Sequence, residues 1–330
     1  MVKLAGKEVG EIGYGLMGLT WRANPPSQEQ SFKAMRAAIA HGANAWNGGE
    51  LYGSPERNSL HLLNEYFTKY PEDADKVVLS IKGGIIPGQM VPDGSEKNVR
   101  RSIDECLKVL DGKKVLDLFE CARLDPKTPL ETTIGTIAEY VKAGKIGGIS
   151  LSEVNAQSIR RASKVHKISA VEVEFSLWAT DILENGIAQT CAELDIPIIA
   201  YSPLGRGFLT GQIKSFDDIP DTAFIKHLPR FQPDVFDENL KLVKEVEQLA
   251  VKKGCTPAQI ALAWVRAHSG RGGLPIIIPI PGATTEDRIN ENMTKVTLSK
   301  DDMAAIDEIL KRTTIVGGRY NDAAMAFCDL

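Results

Sequence analysis

Trp46-Asn47-Gly48-Gly49-Glu50-Leu51-Tyr52-Gly53 and, one helix-like stretch later, Val77-Val78-Leu79-Ser80-Ile81-Lys82 decide the fold of this 330-residue chain. Each stretch carries an apolar run typical of a strand, and residues 57–69 between them have the pattern of an amphipathic helix. In proteins that alternate strands and helices, functional side chains gather just past the strand ends. Tyr52 and Lys82 both lie at such positions.

The same alternation continues along nearly the whole chain and predicts eight strands. Eight strand–helix repeats close most economically as a (β/α)8 TIM barrel. No linker rich in Pro, Gly or Ser divides the sequence, so we expect one α/β domain over residues 1–330. The predicted strands are 11–14, 43–47, 77–82, 115–121, 147–151, 170–173, 196–201 and 274–278, and the predicted helices are 28–40, 57–69, 98–110, 129–143, 156–165, 185–194 and 257–267.

Two long segments lie outside this repeat. Residues 211–237, rich in Pro and Phe, follow the seventh predicted strand, and residues 313–330 follow the last helix. Segments of this length are either lids over a site or surface padding. We expect the long loops and the C-terminal tail to lie over the C-terminal face of the strands.

Composition excludes several classes of function. Net charge is −4, with basic and acidic residues mixed, so no basic stripe is available for nucleic acid or an anionic membrane. The longest apolar run, 274–281, is too short to span a bilayer, and no signal peptide is recognisable, so we expect a cytosolic protein, or one both cytosolic and nuclear. Five cysteines without C-x-x-C spacing favour reduced thiols, and no metal site is expected.

A glycine motif near the N-terminus, Gly13-Tyr14-Gly15-Leu16-Met17-Gly18, has the G-x-G-x-x-G spacing of a Rossmann dinucleotide site. Its context argues against that fold. Pro25-Pro26 would break the following helix, and the next strand, 43–47, ends without the acidic residue that binds a ribose. We expect these glycines to shape the first barrel loop and to let a cofactor ring approach the backbone.

Two later segments could bind phosphate. In Ile276–Arg288 an apolar run leads through a Gly-bearing turn to a threonine-capped helix start, and the last loops of a barrel commonly bind phosphate. Arg288 would clamp a phosphate monoester, although on spacing alone a solvated helix charge is the favoured reading. Residues 202–211 form a second glycine-rich loop, which either wraps a pyrophosphate or is a simple turn.

The pairing of Tyr52 with Lys82 carries the chemistry. A free phenol has a pKa of about 10, and a nearby ammonium stabilises the phenolate. Such a pair can hand a proton to a developing alkoxide near neutral pH.

Together these motifs resemble the aldo-keto reductase family from Gly13 to about Asp307. They are Glu50-Leu51-Tyr52-Gly53, Lys82-Gly83-Gly84, Tyr201-Ser202-Pro203-Leu204-Gly205-Arg206-Gly207, Pro257-Ala258-Gln259-Ile260-Ala261-Leu262-Ala263-Trp264, and Ile280-Pro281-Gly282 with Arg288, Glu291 and Asn292. The resemblance implies an NADPH-dependent carbonyl reductase in which Tyr52 is the acid and Lys82 tunes it. It also implies that Tyr201 stacks on the nicotinamide, while Arg288 and Asn292 hold the adenosine 2′-phosphate and the adenine. The implied cofactor residues are Ser152, Glu172, Tyr201, Ser202, Leu204, Gly205, Arg206, Gly207, Gly282, Thr284, Arg288, Glu291 and Asn292, and the implied substrate-pocket residues are Trp21, Ala122 and Arg123.

The chain departs from the family at two of four catalytic positions. Asn47 stands where the family usually has an aspartate, so we expect Lys82 to lack its counter-ion. Ala122 stands where the family usually has a histidine, so no imidazole can act there. Ser152 matches the residue that holds the nicotinamide carboxamide, and its usual amide companions are replaced by Glu153 and Glu172, which would accept hydrogen bonds from the amide N–H2.

These departures resemble one branch of the family, the fungal pyridoxal reductases. The matching segments are Trp46-Asn47-Gly48-Gly49-Glu50, Phe119-Glu120-Cys121-Ala122-Arg123-Leu124-Asp125-Pro126 and Gly317-Gly318-Arg319-Tyr320-Asn321. The resemblance implies reduction of pyridoxal to pyridoxine. Two alternatives stay open: a broad-specificity aldehyde reductase, and a weakly catalytic regulator that senses NADP, resembling the potassium-channel β-subunits.

Overall fold

The predicted barrel is present in the computed structural model, which describes residues 2–328. Its strands are β1 (Tyr14–Gly15), β2 (Ala45–Gly49), β3 (Val78–Gly83), β4 (Leu118–Cys121), β5 (Ile149–Ser152), β6 (Ile168–Glu174), β7 (Ile198–Tyr201) and β8 (Ile277–Pro279). Each strand pairs in parallel with the next one along the chain. The first and last strands meet through the Gly13 N–H, which donates to the Pro279 carbonyl at 2.9 Å, and the Gly15 N–H, which donates to the Pro281 carbonyl at 3.2 Å. The (β/α)8 prediction is therefore confirmed.

Helices cover the outside of the barrel. All seven predicted helices are present with ends within two residues of the prediction. Five of them begin at side chains that cap free N–H groups, such as Ser27, Asn58 and Asn155. The helices are Met17–Thr20, Gln28–Ala40, Ser59–Lys69, Glu96–Leu110, Leu130–Lys142, Ala156–Val165, Ile187–Glu193, Pro233–Lys253, Pro257–His268, Glu286–Met293, Lys300–Arg312 and Asp322–Met325. Two hairpins lie outside the barrel, Val2–Leu4 with Lys7–Val9 and Gly53–Ser54 with Arg57–Asn58.

The long segment after β7 is shorter than expected. The irregular stretch ends at Gln232, and the helix Pro233–Lys253 follows it, so the expected end of that segment at residue 237 is wrong. Phe236, Leu240 and Val243 in this helix repeat at helical spacing and are buried. Gly254 ends the helix in the left-handed region, with a φ of 68°.

The barrel interior changes from apolar to polar along the strands. At the lower end, Leu4 and Val9 of the N-terminal hairpin cover a buried layer that includes Ala45, Leu118 and Ala170. Because side chains alternate along a strand, the residues two positions further on also face inward. These residues are Asn47, Glu120 and Glu172, all buried. The fold therefore places a polar, water-poor layer just below the carboxyl ends of the strands, where barrel enzymes carry their active sites.

Glycines of the G-x-G-x-x-G segment serve the barrel wall. A Cβ atom on Gly13 would lie 2.5 Å from the Ala45 carbonyl oxygen, and one on Gly15 would lie 2.9 Å from the Ile280 carbonyl oxygen. Both positions therefore need glycine for close strand packing. The Rossmann alternative is excluded, since these glycines lie in and beside β1 of a closed parallel barrel.

The C-terminal tail crosses the carboxyl ends of the strands. The Asn239 side chain donates to the Val316 carbonyl at 2.8 Å and accepts from the Val316 N–H at 2.7 Å. Arg230, from the segment after β7, donates to the carbonyls of Trp178 at 2.5 Å and Gly317 at 3.0 Å. The predicted position of the tail is confirmed up to residue 328. Residues 329–330 lie outside the described part.

The described residues include neither a membrane-spanning helix nor a disulfide bond. Between residues 2 and 328, no helix is both long and apolar enough to cross a bilayer. All five cysteines are free thiols, as predicted.

Candidate active site

Tyr52 lies in the loop after β2, packed between a glycine and an indole. A Cβ atom on Gly49 would approach the Tyr52 ring to 3.0 Å, so this glycine lets the phenol lie against the end of β2. On another side, the Trp21 ring stacks on Tyr52 with centroids 5.6 Å apart and planes 23° apart. Thr20 Oγ1 donates to the Tyr52 carbonyl at 2.7 Å. The phenol is thus held in place by a hydrogen bond to its backbone and by contacts of its ring with Gly49 and Trp21.

Lys82 projects inward from β3 and is 4% exposed. Its Nζ lies 5.9 Å from the centroid of the Tyr52 ring and 5.7 Å from that of the Tyr201 ring. The structure therefore brings three of the predicted site residues together around one ammonium group. Such distances permit a cation–π attraction to both rings.

Burial and charge set the proton affinity of Tyr52. Burial raises the pKa of the phenol above its ordinary value, Lys82 opposes that rise, and the negative charge of Glu172 adds to it. Since a raised pKa keeps the phenol protonated at neutral pH, Tyr52 is equipped to donate a proton.

The expectation that Lys82 lacks a counter-ion is wrong. Its ammonium forms a buried ion pair with Glu172 of β6 and lies 3.5 Å from Glu120 of β4. Burial alone would lower the pKa of Lys82, but these carboxyl groups outweigh it and the pKa is raised. Asn47 joins the group, since its Nδ2 donates to Glu172 Oε2 at 2.6 Å and its Oδ1 lies 3.5 Å from Lys82 Nζ. The lysine is therefore held as a cation by glutamates on other strands.

Ala122 and Arg123 follow β4 at the rim of the barrel. Ala122 is buried, and its N–H donates to the Gly83 carbonyl at 2.9 Å. Arg123 donates to the Ala122 carbonyl at 2.6 Å and to the Tyr320 hydroxyl at 3.2 Å. The two predicted pocket residues thus lie beside the C-terminal tail.

Residues of the tail that the sequence did not place in the site enter it directly. The Tyr320 hydroxyl lies 3.0 Å from the Tyr201 hydroxyl, and the Arg206 guanidinium lies 4.4 Å from the centroid of the Tyr320 ring. Arg319, 8% exposed, pairs with Glu153 at 2.8 Å and with Glu174 at 3.3 Å. In the sequence, Arg319 and Tyr320 appear only as a cation and an aromatic residue after two glycines. This pattern is too common to identify the residues that they contact.

Ser152 is the best structural evidence for a nicotinamide site. Its Oγ, at the end of β5, is buried and has no hydrogen-bond partner within residues 2–328. An unpaired buried hydroxyl is costly unless a ligand satisfies it. Glu172 and Glu153, in contrast, already bind Lys82 and Arg319. Ser152 therefore fits a carboxamide, and the same role for Glu172 stays a prediction.

The glycine-rich loop after β7 is a tight, irregular turn. Gly205, Arg206 and Gly207 all adopt left-handed φ values, of 55°, 58° and 97°. The Gly205 N–H donates to the Ser202 carbonyl and the Gly207 N–H to the Leu204 carbonyl. Since these two amides are used within the loop, they are not free to bind a pyrophosphate. The cofactor role of this loop stays a prediction.

The helix after β8 begins as the sequence predicted. Thr285 Oγ1 accepts from the Arg288 N–H at 3.3 Å and caps the helix Glu286–Met293. The Arg288 side chain, 42% exposed, pairs with Glu291 at 2.5 Å. Asn292 is buried. Two further predicted residues lie on this rim. Gly282 forms a β-bridge with Gly15 of β1, and the Thr284 carbonyl accepts a hydrogen bond of 2.9 Å from the Gln30 side chain.

The comparisons with known proteins agree with this geometry. The model of the aldo/keto reductase family matches residues 11–311. The chain belongs to the aldo/keto reductase family. It is therefore an oxidoreductase, and members of the family generally use a nicotinamide cofactor.

Two curated relatives are similar over nearly the full chain. "Probable pyridoxal reductase 2" from Schizosaccharomyces pombe is 44% identical over 323 residues, which cover 96% of each chain. "Putative pyridoxal reductase" from Saccharomyces cerevisiae is 40% identical over 343 residues, covering 95% of this chain and 96% of that one. Among solved structures, the glycerol dehydrogenase from Gluconobacter oxydans has a TM-score of 0.82 at 19% identity, with 96% of this chain and 97% of that one covered. This last likeness concerns the fold.

Proposed function

We propose that the chain is an NADPH-dependent carbonyl reductase that reduces pyridoxal to pyridoxine. The observation that carries the proposal is the Tyr52 phenol beside the buried Lys82 ammonium at the carboxyl ends of the strands. The choice of pyridoxal is supported by the two yeast relatives, whose names state pyridoxal reductase.

Two residues of the chain have separate roles in the proposed reaction. The chemistry that a bound NADPH would supply is a hydride for the carbonyl carbon. Tyr52 donates its phenolic proton to the oxygen, which would otherwise become an alkoxide. Lys82 stabilises the phenolate that remains, because its charge is held within reach of the ring. Lys82 itself is buried, and charge interactions are stronger where water is excluded.

The cofactor would lie across the rim formed by β5, β7 and β8. Ser152 would bind the carboxamide, and Tyr201 would stack on the nicotinamide ring. Arg288 and Asn292 would bind the 2′-phosphate and the adenine. Gly282 stands where the family often has a lysine, and Glu291 competes for Arg288, so we propose a mild preference for NADPH over NADH.

The substrate itself would supply part of the carbonyl polarisation that Ala122 cannot provide. Pyridoxal has a 3-hydroxyl group ortho to its aldehyde, placed to donate a hydrogen bond to the carbonyl oxygen. We propose that this internal bond polarises the carbonyl in place of an imidazole. The small side chain of Ala122 also leaves room for an ortho-substituted ring.

Oxidation of NADPH against a panel of aldehydes tests the proposal. Pyridoxal should give a kcat/KM at least about tenfold above benzaldehyde and short aliphatic aldehydes. Equal rates across the panel would replace the proposal with a broad aldehyde reductase. Tight NADPH binding with turnover near background would favour a regulator instead.

A further inference from the structure

Five side chains from five strands meet inside the barrel below Tyr52. Lys82 of β3 pairs with Glu172 of β6, and Glu120 of β4 lies 3.5 Å from the same ammonium. Asn47 of β2 links the two carboxyl groups, since its Nδ2 lies 2.6 Å from Glu172 Oε2 and 3.4 Å from Glu120 Oε1. Ser150 donates to Glu120 Oε2 at 2.7 Å. Every polar group of this cluster thus has a partner.

The count of charges in this cluster does not balance if both glutamates are ionised. Both carboxyl groups are fully buried and Lys82 is 4% exposed, so water cannot screen an excess negative charge. Within the described residues 2–328, the other titratable groups that face Lys82 are the rings of Tyr52 and Tyr201, which bring no positive charge. Two carboxyl groups that share one site cannot both ionise readily, and they titrate as a pair.

We propose that Glu120 and Glu172 together form the counter-ion of Lys82, as a carboxyl pair that carries one negative charge and one proton. Asn47 is then a positioning residue, because its amide holds the pair in place. The proposal rests on the proposed function only in giving this lysine a catalytic purpose. It assigns to β4 and β6 the role of keeping Lys82 charged and directed at Tyr52.

A carboxyl pair that shares one proton should respond to glutamine substitution differently from two independently ionised glutamates. Glutamine has the shape of a protonated glutamate, so a pair that already carries one proton tolerates one glutamine but not two. Glu120→Gln and Glu172→Gln should therefore each leave a single carboxylate beside Lys82. The double variant E120Q/E172Q should leave the lysine without a counter-ion.

Titration of Lys82 tests this without substrate or cofactor. The measurement is the NMR shift of the Lys82 side chain in protein with isotope-labelled lysine, assigned with Lys82→Met. We expect each single variant to titrate nearly like the wild type, and E120Q/E172Q to titrate about two pH units lower or more. The matched control is E172Q/E174Q, which also carries two glutamines, but Glu174 pairs with Arg319 and Arg206 instead of Lys82. It should titrate like E172Q.

A rescue variant completes the test. Because Asn47 Oδ1 lies 3.5 Å from Lys82 Nζ, Asn47→Asp places a carboxylate near the ammonium, and N47D/E120Q/E172Q should recover the wild-type titration. It should also fold if the double variant does not. Single variants that each produce about half of the double effect would overturn the shared proton. A double variant that titrates like the wild type, or a triple variant that fails to recover, would overturn the counter-ion.

Loss of the counter-ion should also appear in turnover. For any aldehyde that the wild type reduces, the kcat of E120Q/E172Q should be about a hundredfold lower, with little change in the KM for NADPH. Each single variant should lose less than tenfold in kcat. A wild type that reduces no aldehyde would contradict the proposed function but would leave the Lys82 titration as a decisive test of the carboxyl pair.

Discussion

Two buried ionic clusters at the mouth of the barrel differ in what holds them. The Lys82 cluster consists of strand residues, so the register of the barrel fixes it. The Arg319 cluster joins Glu153 and Glu174, at the ends of β5 and β6, to a tail that the hydrogen bonds of Asn239 and Arg230 hold in place. The first cluster therefore persists as long as the barrel does, while the second can break by local opening of the tail. The first cluster therefore belongs with the proposed chemistry, and the second attaches the tail to the ends of β5 and β6.

The largest expected effect concerns the phenol above the strand-held cluster. Tyr52→Phe should lower kcat by about a hundredfold to ten-thousandfold, because the proton donor is lost at the transition state. Affinity for NADPH, measured by fluorescence titration, should stay within a few-fold of the wild type. The control is Tyr140→Phe, whose phenol pairs with Asp104 outside the site and should not affect kcat. Substantial turnover by Tyr52→Phe would remove Tyr52 from the mechanism.

Breaking the tail-held cluster should cost stability. Arg319→Ala leaves the buried Glu153 carboxylate without its cation, and we expect a loss of about 2 to 3 kcal/mol in the free energy of unfolding. This lies at or below the low end of the range of about 3 to 5 kcal/mol for breaking a buried pair, since the tail can move away and admit water. Arg312→Ala is the matched control, because its pair with Glu245 is largely exposed and should contribute less than about 1 kcal/mol. Equal losses in chemical denaturation would show that the tail cluster is no stronger than a surface pair.

The same cluster should make closure of the tail depend on pH. Burial raises the pKa of Glu153, but Arg319 outweighs burial and the pKa is lowered below its ordinary value of about 4.3. A lowered pKa stabilises the closed tail above that pH, and the contribution is lost as the pH falls through the folded-state pKa. Protection of residues 313–328 against hydrogen exchange, corrected for the intrinsic exchange rate at each pH, should therefore fall in acid for the wild type. In Arg319→Ala this dependence should be absent, and an unchanged acid dependence would contradict the assignment.

A smaller effect is expected at the cofactor rim, outside both clusters. Arg288→Ala should weaken binding of NADPH by about 1.5 kcal/mol, because one charge-assisted contact to the 2′-phosphate is lost. Binding of NADH, which lacks that phosphate, should change little. Fluorescence titration with both cofactors measures the difference, and an equal loss for the two would show that Arg288 does not contact the phosphate.

The smallest predicted effect concerns the space between the clusters, next to Ala122. Pyridoxal should exceed its 3-O-methyl ether and pyridine-4-carboxaldehyde in kcat/KM by at least about tenfold, or 1.4 kcal/mol. The reason is the hydrogen bond from its 3-hydroxyl to the carbonyl oxygen. If the analogue without the hydroxyl is reduced equally well, polarisation by the substrate is wrong, and a broad aldehyde reductase becomes the better reading.

Residue patterns alone were enough to predict the barrel, the family and the placement of Tyr52 near Lys82. Hydrophobic periodicity is local, so strands and helices could be located one at a time, and the carboxyl ends of parallel strands necessarily meet at one face. The helix Pro233–Lys253 was missed although its apolar spacing was visible, because the Pro-rich segment before it was extended too far.

The partners of the buried charges, in contrast, could be identified only in the folded chain. Glu172 lies 90 residues from Lys82 and Arg319 lies 166 residues from Glu153, and no local pattern connects them. A glutamate at a strand end can bind a cofactor, a lysine or a tail residue, depending on the face it occupies and the register of neighbouring strands. Asn47, Glu120 and Glu172 each lie two residues after a buried apolar residue of the lower layer, but that common level appears only when the strands are aligned in the closed barrel. Residue types are local information, whereas the pairing of buried charges depends on distances that only the folded chain defines.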